Sequence, residues 1–144
     1  MQVDFYQLGG LSPQAALPQL AARTLAIGER MLVVADDPAL LAGLSEALWA
    51  QPGSFLAHGD AGNPHAARQP ILLSATPEPA NTARFIALAD GLWREAALAF
   101  ERVFLLFDAA TLDAARATWR SLDGREGVAR NYWRQDGGKW SKAA

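Results

Sequence analysis

His58 and His65 occupy one polar stretch with Asp60 between them, and two imidazoles plus a carboxylate are donors that a divalent metal could use. Zinc sites, however, have closer, regular spacings and more ligands than this trio provides. The chain has no cysteine, so thiolate metal sites, disulfides and cysteine nucleophiles are excluded together. A Ser-His-Asp hydrolase would need a serine exposed on a tight turn, and no G-x-S-x-G occurs. His58 is therefore expected to be a loop residue hydrogen-bonded to nearby backbone. Two acids end apolar runs, Asp37 after "MLVVAD" and Asp108 after "VFLLF", a pattern that can hold magnesium beside a nucleotide. The segment after the first strand, "LGGLSPQ", is neither G-x-G-x-x-G nor G-x-x-x-x-G-K-[ST], so no backbone cradle for a pyrophosphate is expected. Asp37 is read instead as a helix cap ahead of Pro38, and Asp108 as the end of a buried strand turning into the last helix. No catalytic, cofactor-binding or metal-binding residue follows from these patterns.

Two other groupings have docking chemistry. In "EALWAQPGSFLAHGD" (46–60), Trp49 and Phe55 flank a Pro-Gly turn at the end of a helix whose inward stripe is already filled by leucines. They are either core that covers the sheet edge or an anchor pocket for a partner, since exposed aromatics dominate contact energetics. In "TLDAARATWRS" (111–121), Arg116 and Arg120 are four apart and share a helix face, with Trp119 beside it. This is either a solvated basic face over a buried tryptophan or a site pairing guanidinium groups with a carboxylate beside an apolar groove, a way to capture a C-terminal tail. A third stretch, "RNYWRQDGGKWSK" (130–142), mixes basic and aromatic residues as single-strand DNA binders do. Its plainer reading is a terminal strand or hairpin, with Tyr132 and Trp140 packing on the sheet and Gly137-Gly138 turning it.

The elements that must position these groups alternate. "VDFYQL" (3–8) reads as a strand, and Ser12 and Pro13 open a helix. Pro18 lacks the N–H of an interior turn, which places the regular helix from about there to Gly28. "RMLVVA" (30–35) is continuously apolar, as a strand covered on both faces should be. A second helix runs from Pro38, with Leu40, Leu41, Leu44 and Leu48 inward, to Pro52. "PILLS" (70–74), "RFIALA" (84–89) and "RVFLLFD" (102–108) are three more strands, with a short helix over 93–101 and a last helix over about 112–123. Residues 57–70 read as a polar loop. The alternation predicts an α/β fold, a Rossmann-like three-layer sandwich with a mainly parallel central sheet and no nucleotide-binding loop.

Charge and length fit a single soluble domain. The net charge of −2 conceals an asymmetry: residues 116–144 contain seven Lys and Arg against three Asp and Glu (+4), leaving six against twelve (−6) in residues 1–115. The acidic remainder argues against a dedicated duplex DNA binder, while the basic end could meet a phosphate backbone or an acidic peptide. No apolar run approaches the roughly 20 residues a bilayer demands, and no leader opens the chain, so a cytoplasmic location without membrane association is expected.

"DFYQL", "ALWAQPGSFLAHG", "QPILL", "AARATWRS" and "NYWRQDGGKW", in this order and spacing, resemble the chi subunit of bacterial DNA polymerase III holoenzyme. The likeness spans essentially the whole chain, implying a single chi-like domain over 1–144, and 47–59 is its most specific part. The resemblance implies a non-catalytic clamp-loader accessory protein, without cofactor, that pairs with the psi subunit and binds the acidic, phenylalanine-ending C-terminal tail of single-stranded DNA-binding protein. By this likeness Trp49 and Phe55 match the aromatics that face psi, a surface for which a helicase-type partner can compete. Arg116, Arg120 and Trp119 match the tail-binding helix, with Arg116 taking a carboxylate. Two positions depart from the family: Ala57 stands where proline is common, and Leu112 where a second basic residue sometimes precedes Arg116, which should weaken tail binding. Direct DNA binding through 130–142 is the rival reading.

Overall fold

The computed structural model describes residues 1–51, 56–136 and 138–144 of the chain. Strand β1 (Gln2–Gln7), helix α1 (Pro13–Ala26), strand β2 (Met31–Val34) and helix α2 (Pro38–Trp49) alternate as expected. The chain continues through β3 (His58–Asp60), β4 (Ile71–Ser74), β5 (Phe85–Leu88), β6 (Arg102–Phe107), α3 (Leu112–Ser121), β7 (Ala129–Asp136) and β8 (Lys139–Lys142). The described strands form one eight-stranded sheet in the order β3-β4-β2-β5-β6-β1-β7-β8. Every neighbouring pair is parallel except β7 with β8, which form an antiparallel terminal hairpin.

Alternation along the strands divides the core between two faces. Tyr6, Met31, Val33, Ile71, Phe85 and Phe104 point to one side, where Leu17 and Leu20 of α1 and Leu44 and Leu48 of α2 cover them. Val3, Phe5, Leu32, Ile86, Val103 and Leu105 point to the other, under Ala115 of α3 and Ala97 of the segment before β6. The three layers of a Rossmann-like sandwich follow directly. No described helix is long and apolar enough to cross a membrane.

Several local expectations are corrected. Helix α1 starts at Pro13, where the Ser12 Oγ accepts from the Ala15 N–H at 3.2 Å, and it runs through Pro18. Burial of Pro18 offsets the one missing donor, so packing overrides the local rule. Residues 95–99 form a 3-10 turn rather than an α-helix. The polar stretch 57–70 includes β3, a three-residue edge strand paired with β4. Asp108 does cap the turn after β6, accepting from the Ala110 and Thr111 N–H groups at 3.0 and 3.2 Å, while the Asp108 N–H donates to the Thr111 hydroxyl at 3.1 Å.

Candidate docking surfaces

Helix α3 is anchored by Ala115, Thr118 and Leu122, which are buried, and this sets its other side outward. Trp119 falls between the two readings of the sequence, half-buried with one face in the core. Its ring meets Phe5 edge-on at 5.1 Å and Tyr132 edge-on at 5.7 Å between centroids. Arg116 and Arg120 are exposed, and among the described residues neither forms an ion pair. Neighbouring cations are neutralised: Arg130 Nη2 donates to Asp123 Oδ1 at 2.8 Å and its guanidinium carbon lies 4.0 Å from the Trp119 ring centroid, while Arg125 pairs with Glu95 at 3.0 Å.

Beside this helix is a cavity of 260 Å³ lined by Arg116, Trp119, Tyr132, Arg134, Ala143 and Ala144. It is smaller than the roughly 300 Å³ at which small-molecule pockets usually begin. Arg120 is outside the lining. Tyr132 is fixed by its hydroxyl, which donates to Gln7 Oε1 at 2.5 Å, and by edge contact with Phe107 at 5.7 Å. Burial pushes the Tyr132 phenol pKa up, against the opposing pull of the Arg134 and Arg116 charges. Sequence reading assigned neither Tyr132 nor Arg134 to this site. Their signal was the period of two along β7, which puts residues 130, 132 and 134 on one face once the segment is known to be a strand.

The second surface lies at the end of α2. Trp49 is 55% exposed, and its ring centroid lies 4.4 Å from that of His58. His58 belongs to the edge strand β3 rather than to a loop, and it is buried. Its Nδ1–H donates to the Leu56 carbonyl at 2.8 Å, which leaves Nε2 to accept from the Ser45 hydroxyl at 2.9 Å. The imidazole thus has local partners, including the nearby backbone expected of it. A groove of 430 Å³ beside it is lined by Leu41, Ser45, Trp49, His58, Asp60 and Asn63, among others. Phe55 lies outside the described residues. Among the described residues no cluster of three or more His, Cys, Asp or Glu side chains could hold a metal ion.

A cavity of 540 Å³ opens at the carboxyl ends of the parallel strands, where α/β folds commonly bind nucleotides. Its walls include Asp37, Asp90 and Asp108. Asp37 caps α2 by accepting from the Ala39 N–H at 2.9 Å, and Asp90 is held by Arg94 through two contacts of 2.9 Å. Burial works to raise the Asp90 pKa, but the Arg94 guanidinium and the N–H groups of Asp36 and Leu92 outweigh it and hold the carboxyl below its ordinary range. The Asp90 carboxylate, kept in its charged form, opposes a phosphate in this crevice.

The aromatic residues of 130–142 do not share a surface. Tyr132 packs on the α3 face, whereas Trp133 and Trp140 pack with Tyr6 on the opposite face, at 6.1 and 4.9 Å between centroids. The two candidate surfaces are likewise apart. Trp49 and His58 belong to the α2 face at the β3 edge, Arg116 and Tyr132 to the α3 face at β7, and the six strand intervals from β3 to β7 amount to about 29 Å.

The sequence matches the family model of the DNA polymerase III chi subunit, HolC, over residues 1–129, ending at the first residue of β7. No curated protein matches the chain.

Proposed function

The chain belongs to the DNA polymerase III chi-subunit family, and from that premise we propose that it is a non-catalytic adaptor of the clamp loader in the cytoplasm, holding psi on one surface and the tail of single-stranded DNA-binding protein on another. Family membership supports a replication accessory subunit; the assignment of each surface rests on chemistry. Trp49, with Phe55, is the psi anchor, because a large indole more than half exposed beside a groove offers apolar area to a partner. A helicase-type partner competes for the same indole. Arg116 takes a carboxylate of the acidic tail, Trp119 lines the slot for its apolar end, and Arg120, outside the cavity, attracts the acidic stretch behind it.

The observation that carries this reading is that the exposed indole and the guanidinium groups that form no ion pair among the described residues occupy opposite faces near opposite edges of one sheet. Two partners can then be held at once without meeting. Tail contacts of this kind are weak and salt-sensitive, because exposed ion pairs contribute about 0.2–1 kcal/mol each. Several tails on one oligomeric partner compensate through effective concentration. Titrating labelled poly-dT and, separately, an acidic peptide ending in Phe tests the reading: the peptide binds and the DNA does not. Tight poly-dT binding with no peptide binding would instead establish a single-strand DNA module.

A further inference from the structure

Strand β7 sends Arg130, Tyr132 and Arg134 to the α3 face, since side chains alternate and Tyr132 packs in the core of that face. The two arginines have different fates. Arg130 is closed off between Asp123 and the Trp119 ring. Arg134 is exposed, stands opposite Ser141 of β8, and among the described residues forms no ion pair. It lines the same 260 Å³ cavity as Arg116, so one cation arrives from a helix and the other from a strand, with Trp119 and Tyr132 also in the lining. Both guanidinium charges reach the Tyr132 hydroxyl strongly enough to oppose the effect of its burial.

We infer that Arg134 is a second anion-binding residue of this slot, so that the slot selects a peptide end with two carboxylates, one held by Arg116 and one by Arg134. The inference rests on the tail-binding role proposed for Arg116 and extends it to a residue beyond the matched family region, 1–129. Two unpaired like charges around one cavity repel each other, and a ligand with two negative groups relieves both, whereas a single carboxylate satisfies only one. Each planar guanidinium can take its carboxylate through paired N–H donors, which gives the selection a geometric component as well as a Coulombic one.

The test is a fluorescence-anisotropy titration of the full chain with a labelled peptide ending Asp-Asp-Phe, and with the same peptide carrying Asn-Asn-Phe. Arg134→Ala should weaken binding of the acidic peptide about fivefold, and Arg134→Lys should restore the charge-dependent part of it only. The Asp-to-Asn exchange should cost the wild-type chain more affinity than it costs Arg134→Ala, by about the factor that Arg134→Ala itself loses, because one of the two carboxylates removed is the partner of Arg134 and the other that of Arg116. Wild-type affinity in Arg134→Ala, or losses that simply add, overturns the inference while leaving Arg116 in place. If the wild-type chain ignores the acidic peptide, or Arg116→Ala binds it unchanged, the tail-binding role itself fails and Arg134 falls with it. Thermal melts of each variant separate a binding loss from a folding loss.

Discussion

The Trp49 indole and the His58 imidazole lie 4.4 Å apart between centroids at a tilt of 45°, so the exposed aromatic at the end of α2 rests against a buried, doubly hydrogen-bonded ring of the edge strand. Helix end and strand are coupled through that contact. His58→Ala removes the ring and both of its hydrogen bonds. It should lower stability by about 1–3 kcal/mol in urea denaturation and reduce psi co-precipitation together with it. Undiminished psi capture would separate the Trp49 surface from its support.

Asp4 is wholly buried in β1 and gathers donors from three strands. Arg102 Nε reaches it at 2.8 Å, Asn131 Nδ2 at 3.0 Å and Trp133 Nε1 at 3.3 Å, with Gln2 Nε2 at 3.0 Å from either oxygen. Asp4→Ala leaves these donors without their acceptor and should cost about 3–5 kcal/mol, read as a lowered urea midpoint. A loss below about 1 kcal/mol, the scale of one ordinary hydrogen bond, would contradict the stitching role.

Tyr6 neighbours that carboxylate, and burial first, with the Asp4 charge second, pushes its phenol from 10.0 up to about 12. The unfolded chain therefore loses the Tyr6 proton before the folded one. The contribution to stability is complete below pH 10 and is lost as pH rises toward 12. Denaturation midpoints measured across that window should fall with pH, and Tyr6→Phe should flatten the fall. An unchanged slope in Tyr6→Phe would assign the effect to other groups.

Gly91 has a φ of +74°, and a Cβ there would stand 2.6 Å from Thr111 Oγ1. Thr111 is the residue that closes the Asp108 cap ahead of α3. Gly91→Ala combines left-handed strain with displacement of that cap, and should lower stability by about 1–3 kcal/mol by thermal or urea denaturation. Stability equal to wild type would mean that the Thr111 side chain moves aside freely.

The sheet and its two helical layers were legible because strands such as "MLVV" are apolar throughout and lie between caps that follow simple rules, Ser12 and Asp37 among them. Pro18 misled because local propensity cannot register the tertiary burial of its ring. Strand β3 was hidden because three residues, His-Gly-Asp, have no strand character of their own and form one only by pairing with β4. Asp4 is one polar residue of "VDFYQL", and nothing local reveals that β7 returns Asn131, 127 residues further on, to it. Spacing alone puts Arg116 and Arg120 on one helix face with Trp119 beside it, and leaves open whether that face is solvated or a docking site. The strand half of the cationic slot, Tyr132 and Arg134, needed the register of β7 against β1, which pairs Phe5 with Tyr132 and Gln7 with Arg134.

The adaptor account is tested most directly by two substitutions measured against two partners: Arg116→Ala and Trp49→Ala, each titrated with the acidic Phe-ending peptide and assayed for psi co-purification. Arg116→Ala should lose peptide affinity about fivefold while psi still co-purifies, since an exposed ion pair of up to about 1 kcal/mol is removed on one surface only. Trp49→Ala should lose psi and keep the peptide. If either substitution weakens both partners in a chain that remains folded, the surfaces are not independent and the account is contradicted.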